Sequence, residues 1–401
     1  MGTKSKYKMD FLTDHIFLFS LIIFLFILQA VFYHGLIRYI DIFTTVFIMG
    51  LFAMSFDLLM GYVGLFSFGH PLFFGTGAYV TTYFLMWTNI PYLAVLPLVF
   101  LVGCGVGLVL SYLLRRAFHG ISFSFTSLAI NLMIYFLYRK RELRPFSGGE
   151  QGLTVPVPKI LKSTLLSTSF LVIFLILISL LLVAVFARLR NHGNLSGKKI
   201  CVFSLLVIFL SFISFGMWSY FIGLLSVADY KRITPNIYCL SLLILCICYL
   251  LAKKFAASPV GHIWRAIRES EVRTEVIGFN TFRYKSLALI ISAGFAALAG
   301  GIYAPFHFAI TPDTVFSPML AFYAIVWVII GGVGTLNGAI LGAAIVTFLE
   351  RFLIDYIGGW APVIVGIIFI IFMFSLPHGI VGTWKMKKSR IRAMLHKLIR
   401  F

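Results

Sequence analysis

Acidic side chains are scarce in this sequence, with 13 Asp and Glu against 33 Lys and Arg in 401 residues, and charged residues make up only 11% of it. A soluble domain carries about 25% charged residues, so a water-soluble globule is excluded as the bulk of the chain. Cysteine is sparse as well. Cys104, Cys201, Cys239, Cys246 and Cys248 all lie in or beside apolar runs, with no Cys-x-x-Cys pair and no His-rich neighbour. That pattern excludes a disulfide framework and a zinc site, and leaves cysteine as a small hydrophobe. There is no Gly-x-x-x-x-Gly-Lys-Ser/Thr stretch, so this chain does not cradle ATP through a P-loop. Of the nine histidines, His70 and His262 lie inside motifs, yet neither has a carboxylate or second histidine at ligand spacing, and no catalytic set emerges. Nor are there the short alternating segments of a membrane β-barrel.

What fills the chain instead is hydrophobic sequence, 61% of all residues. Runs such as Ile16–Tyr33, Leu165–Phe186 and Val363–Leu376 are nearly free of charge. About 20 apolar residues cross a bilayer as helix, because backbone amides in lipid must be satisfied within their own segment. The expected fold is therefore an all-α polytopic membrane protein with about 12 hydrophobic segments. These fall near 14–34, 40–60, 68–88, 91–114, 121–138, 163–187, 200–223, 236–252, 284–305, 317–332, 336–354 and 360–378. The first run is too long for a cleaved signal and is expected to be retained as a span.

The net charge of +20 sits between the runs and at the ends. Arg115–Arg116, Arg188–Arg190, Lys198–Lys199, Lys253–Lys254 and the acid-free tail at 385–401 then read as cytoplasmic by the positive-inside rule. An even number of crossings returns both termini to the cytoplasm. Nucleic-acid binding is not indicated, since the basic patches are short and lack interleaved aromatics. One loop runs against the scheme: Arg139, Lys140, Arg141 and Arg144 fall outside, through snorkelling or a nearby re-entrant segment. Glu350, Arg351 and Asp355 end a late crossing and read as an interfacial ion pair.

Two glycine clusters punctuate the chain. Gly61, Gly64, Gly69, Gly75 and Gly77 form one, and Gly331, Gly332, Gly334, Gly338 and Gly342 the other. Each follows one crossing and leads into the next, where small residues permit close packing and sharp turns. They suggest a duplicated core, or simply the abundance of glycine in membrane helices. A polar stretch, Ser258–Lys285, separates two further crossings. Pro259 and Gly261 open it, Gly278 closes a helical pattern, and Ile263, Ala266, Ile267 and Ser270 share one helical face, with Arg268 and Glu275 elsewhere. Such a segment is either a solvated connector or a helix that docks on a cytosolic partner.

That stretch, Gly-His-Ile-Trp-Arg-Ala-Ile-Arg-Glu followed by Val-Ile-Gly-Phe-Asn and Arg-Tyr-Lys, closely resembles the cytoplasmic coupling segment of branched-chain amino acid ABC transporter permeases. Gly61-Tyr-Val-Gly-Leu-Phe-Ser-Phe-Gly-His70 and Phe73–Tyr79 resemble the family's early glycine signature, and Ile329–Gly342 its late one. Pro377-His-Gly-Ile-Val-Gly382 resembles its closing Pro-Arg-Gly-Leu-x-Gly. The resemblance covers roughly 40–150 and 236–384, and is to the permease subunit with the Arg-Ala-Ile-Arg-Glu core.

The resemblance implies a type II importer-like permease bundle in the inner membrane, carrying branched-chain amino acids or related small polar solutes. Its implied partners are P-loop ATPase subunits, a second permease and an external solute-binding protein. ATP is then hydrolysed on a separate subunit, and this chain, which is no enzyme, binds no cofactor. Coupling is expected through Gly261, Arg265, Ala266, Arg268, Glu269, Glu275 and Gly278 in the segment 258–283. Path candidates are Asp57, Gly61, Gly64, Ser67, Gly69, Gly331, Gly332, Gly334 and Asn337.

The chain departs from the family in three places. Asp57 stands where the family usually has Asn, as a polar lining of the path or as an acid hydrogen-bonded to a glycine-rich loop. Gln151 replaces an Asp in the Gly148–Leu153 stretch, and residues 160–225 look like an inserted helical pair. The alternative, an ion-coupled secondary transporter or channel, would need intramembrane ionisable groups, of which Asp57 is the main candidate.

Overall fold

The computed structural model describes residues 37–118, 120–158, 161, 229–375 and 379–383. Crossings expected at 14–34, 163–187 and 200–223, the inserted pair at 160–225 (Leu161 excepted) and the basic tail at 385–401 lie outside these residues. The chain divides into two units, Met1–Asp41 with Ser163–Asn236 and Ile42–Lys162 with Ile237–Phe401. The contacts that build the site all lie within the second.

The other nine expected runs each coincide with a long helix. They are α1 (Ile37–Asp57), α2 (His70–Trp87), α3 (Tyr92–Leu113), α4 (Gly120–Arg139), α5 (Asp229–Ala257), α8 (Thr281–His307), α9 (Pro318–Gly331), α10 (Leu336–Ile357) and α11 (Ala361–Ser375). Two shorter helices, α6 (Pro259–Glu269) and α7 (Glu271–Val276), lie between α5 and α8. Among the described residues, seven helices are long and apolar enough to cross a bilayer. Helix α2 is less apolar, carrying His70, Thr76, Thr81 and Thr82, and all of these but Thr76 are buried within the protein. A helix enclosed by protein need not be apolar on every face. By contrast, α3 and α4 expose Leu101, Leu108, Val109, Leu113, Ile121, Phe125 and Met133, as helices facing hydrocarbon do.

Successive long helices alternate in direction, so the molecule has two ends. The basal end holds the turn after α1, the turn between α9 and α10, and the segment α6–α7. Here Lys285 Nζ donates to the carbonyl of Phe118, just before α4 begins, at 2.7 Å. The apical end holds β1 (Leu153–Thr154) and β2 (Ala309–Ile310), antiparallel with Leu153 opposite Ile310. It also holds the Arg139–Arg144 loop. Because α4 runs unbroken from base to apex, no re-entrant segment is needed to place that loop. Within it, Arg139 pairs with Glu150 at 2.7 Å and Asp313 at 3.5 Å.

Helix α8 is the spine of this bundle. It packs on α2 through glycines from both sides: a Cβ on Gly77 would strike the Ala297 carbonyl, and one on Gly300 the Phe74 carbonyl. Backbones can come this close only where neither helix presents a side chain, the usual device of packed membrane helices. Tyr92 Oη, from α3, closes the same junction on the Gly301 carbonyl at 3.0 Å.

Replacing Gly300 by Val should therefore destabilise the bundle by roughly 1–3 kcal/mol or more through overpacking. Gly105 has no atom within 4 Å of where its Cβ would sit, and its valine variant should behave as wild type. Thermal unfolding followed by size-exclusion chromatography in detergent distinguishes the two; equal loss of folded material in both would refute the packing account.

Candidate functional site at the basal glycine turns

Helix α1 does not end in an ordinary cap. It continues as a π-helical turn, Leu58–Val63, and stops at Gly64, whose φ of +83° glycine adopts without strain. Single π turns of this kind recur at functional sites. The widened turn swings Gly61 against Gly334, which itself has φ +76°. A Cβ on Gly61 would overlap the Gly334 backbone nitrogen and the Asp57 carboxylate, so nothing larger than hydrogen fits there.

Two side chains close the contact. Asp57, fully buried, accepts the Gly334 N–H on Oδ1 at 2.7 Å. Its other oxygen has no hydrogen-bond partner. From below, Arg268 of α6 donates to the Gly61 carbonyl. The Arg268 stem also lies on the first turn, its Cγ 3.2 Å from where a Cβ on Gly64 would sit. A bond from a guanidinium to a carbonyl is charge-assisted and stronger than a neutral one. Gly379, with φ +67°, joins from the chain's closing motif, backed against the Gly332 backbone. The four stretches that carried the family resemblance thus assemble into one cluster.

The remaining path candidates stand around it. Gly69 donates its N–H to Ser127 Oγ of α4 at 3.2 Å, and Ser67 is buried with its hydroxyl unpartnered. Gly331 and Gly338 pack backbone to backbone where α9 turns into α10, Gly332 has φ +122°, and the Asn337 side-chain oxygen is unpartnered. Behind the contact, Ser55 Oγ donates to the Phe52 carbonyl at 2.6 Å and so accepts from His70 Nε2 at 2.9 Å. Ser292 Oγ of α8 donates to the Ser55 carbonyl at 2.6 Å. This chain of bonds fixes α1, α2 and α8 to one another above the turns. Among the described residues, no group of three or more His, Cys, Asp or Glu is placed to hold a metal ion.

The basal segment differs from the single helix expected over 259–278. It is two helices broken at Ser270, which is extended at φ −162° and starts α7 by accepting the Arg273 N–H. Ser258 and Asn280 cap α6 and α8 in the same way. Gly278, with φ +100°, ends the segment as expected. The buried face of α6 is Gly261, Trp264 and Ile267, not the Ile263, Ala266, Ile267 and Ser270 face that its spacing suggested. Trp264 decides the difference. Its ring is fully buried and its Nε1–H donates to the Tyr284 carbonyl at 2.9 Å, which turns Ala266 outward.

Many of the segment's charges bond to the rest of the protein, although most of them stay exposed. Arg265 donates to the Ala256 carbonyl at 2.8 Å, capping α5, while Arg268 serves the glycine contact. Glu275 accepts from Thr281 Oγ1 at 2.5 Å, and Glu271 pairs with Lys285, which is 2% exposed. A lone buried ammonium would be costly; Glu271 and the Phe118 carbonyl together offset its lost hydration. Facing solvent along the segment are Arg265, Ala266, Arg268, Glu269, Arg273 and Glu275 with Val272, Val276 and Ile277, the last three each more than 70% exposed. Trp264, Glu271, Thr281, Lys285 and Gly379 were absent from the candidates drawn from sequence. All five sit within the motifs or beside them; Trp264, Glu271 and Thr281 find partners within the same stretch, while Lys285 also reaches the Phe118 carbonyl and Gly379 the Gly332 backbone.

The family described as "branched-chain amino acid transport system / permease component" matches residues 38–373. This chain belongs to that family. Among its relatives is the high-affinity branched-chain amino acid transport system permease protein LivM of Salmonella typhimurium, 22% identical over 85% of this chain and 69% of the relative. LivM of Escherichia coli is 22% identical over the same shares. The permease protein LivH of Escherichia coli is 31% identical, over 33% of this chain and 42% of LivH. No solved structure matches the chain. It is thus a multi-pass membrane permease whose family signatures meet at one end of the bundle.

Asp57→Asn should leave this permease folded, since an amide oxygen still accepts the Gly334 N–H and no charge remains buried. Asp57→Leu strands that N–H and should cost roughly 1–3 kcal/mol. Thermal-shift curves of the two variants test the assignment; an Asn variant as unstable as the Leu variant would show that the carboxylate itself is required.

Proposed function

We propose that this chain is a transmembrane subunit of an ATP-driven importer for branched-chain amino acids or related small polar solutes. The observation that carries the proposal is the bond from Arg268 to the Gly61 carbonyl. It joins the polar basal segment directly to the contact that shuts the two glycine turns against each other. A push on α6–α7 is therefore delivered to the base of α1 and α9 with no flexible link between.

The basal end carries Arg115, Arg116, Lys253, Lys254, Arg265, Arg268, Arg273 and Arg283, which favours a cytoplasmic orientation. On that side a P-loop ATPase subunit receives the outward residues of the segment: Glu269, Val272, Val276 and Ile277. Arg268 and Glu275, expected as contacts, are exposed beside these residues and are also bonded to the Gly61 carbonyl and Thr281, so they can both meet the partner and pass its motion on. The apical loop suits docking of an external binding protein. Tyr79 and Tyr83 donate to the carbonyls of Ser147 and Phe146 at 3.2 and 2.9 Å, and Arg144 donates to Gln151 at 2.7 Å. With Asp in place of Gln151, that last contact would be an ion pair. A second permease completes the translocation path.

An ion-coupled carrier would need a free intramembrane acid. Asp57 already has a structural partner in Gly334.

Arg268→Met keeps the apolar stem and removes the donor. In vesicles containing the co-purified complex, leucine uptake should fall by roughly tenfold, the worth of one charge-assisted bond, while ATP hydrolysis continues. Uptake that tracks hydrolysis as in wild type would remove the coupling role. Uptake driven by an ion gradient without ATP would remove the importer itself.

A further inference from the structure

Helix α1 and its π turn end at Val63, beside the Arg268 stem, yet α2 begins only at His70. Between them the chain climbs back into the bundle without forming a helix. Ser124 Oγ donates to the Phe66 carbonyl at 2.8 Å, and the Gly69 N–H donates to Ser127 Oγ at 3.2 Å. Those serines stand four and seven residues beyond Gly120, the basal start of α4. At 1.5 Å per residue they lie roughly 6 and 10 Å into the bundle. On the other side, His70 Nε2 bonds Ser55 Oγ at 2.9 Å, and Ser292 Oγ holds the Ser55 carbonyl. Ser292 is seven residues along α8 from the buried basal Lys285, again roughly 10 Å up. The climb is fixed from two sides.

Non-helical backbone at that depth does not face lipid, where its polar groups would go unsatisfied; it is enclosed by protein or lines water. The two serines of α4 take one carbonyl and one amide of the stretch. Among the described residues, the N–H groups of Phe66, Ser67 and Phe68 meet no acceptor, and the Ser67 hydroxyl is buried without a partner. Nor does the protein enclose the outer side. Phe66 is 44% exposed, and Phe68 is half-buried against Phe322 of α9, itself 49% exposed. The Phe68 and Phe322 rings are tilted, with centroids 5.4 Å apart.

We propose that Phe66, Phe68 and Phe322 line the aqueous solute path in its basal half, and that the Phe68–Phe322 contact is a gate across it. The inference rests on the chain being a solute permease. A gate must be tied to what moves, and both rings are. Phe68 follows the Gly61–Gly64 turn, on which the Arg268 stem lies. Phe322 belongs to α9, which ends at Gly331 where the opposing turn begins. Any shift of α6 against the two turns therefore alters the spacing of the rings. Apolar rings that meet across a narrow passage shut it by excluding water, with no bond to break on opening.

The test is thiol labelling with a cationic methanethiosulfonate, on the tagged complex purified from its host's membranes and placed in lipid nanodiscs. The reagent attacks thiolate, which forms in water and not in hydrocarbon. Phe66→Cys, Phe68→Cys and Phe322→Cys should label faster than Phe125→Cys by about tenfold or more, the worth of one unit in thiol acidity. Phe125 is a control at matched depth, five residues beyond Gly120 on α4 and 63% exposed. The unsubstituted complex gives the background of the five native cysteines. Phe322→Cys, on the surface of α9, keeps the test intact should the loop variants fail to assemble. Labelling of Phe322→Cys as slow as that of Phe125→Cys would overturn the path assignment, because the face then meets lipid or a sealed partner. MgATP with vanadate should change the labelling of Phe68→Cys and Phe322→Cys severalfold and leave Phe125→Cys as it was. In a complex that hydrolyses ATP, fast labelling that nucleotide leaves unchanged would overturn the gate. A complex without ATPase activity that labels in this pattern would keep the path lining and discard the importer.

Discussion

Everything at the basal end of this permease depends on two backbones touching. Gly61 and Gly334 meet with no side chain between them, and the approach is stable because each polar group it buries finds a partner. Asp57 takes the Gly334 N–H and Arg268 takes the Gly61 carbonyl. Without those two bonds the same contact would bury an unpaired donor and an unpaired acceptor, which costs more than close packing returns. The π turn, the left-handed glycines and the capped basal helices can all be understood as ways to bring these four groups together.

The basal segment is accordingly less a solvated connector than part of the core. Its helices are short, yet each has its own cap, a fully buried tryptophan anchors the first, and a buried lysine ties the second to the base of α4 and α8. Several charged residues are bonded to the bundle while still exposed, Arg265, Arg268 and Glu275 among them, and Lys285 is buried outright. The outward surface mixes exposed charges of both signs with the aliphatic side chains of Val272, Val276 and Ile277.

Much of the fold was legible in the sequence because the bilayer imposes a strong pattern on it. Nine apolar runs correspond to nine long helices, and the position of Gly278 as a terminator was readable from its place after an amphipathic stretch. The site was legible only in pieces. Both glycine clusters, Asp57 and Arg268 stood out, but their convergence depends on pairs 277 and 207 positions apart, which no local periodicity encodes. The face of α6 was misread for a related reason. Trp264 looked like one apolar residue among several, whereas its ring needs both burial and an acceptor, and only the Tyr284 carbonyl offers the two together.

The hydrogen-sized gap between the two turns also bears on how such sequences diverge. At Gly61 the first side-chain carbon of any other residue would meet atoms from the opposite turn, so neither motif can drift alone. Substitutions there must arrive in pairs, or be absorbed by a change at Asp57 or Arg268. Stretches separated by most of the chain are in that sense a single heritable unit. A gene fusion or domain exchange that replaced one half of the permease would have to carry the matching turn with it.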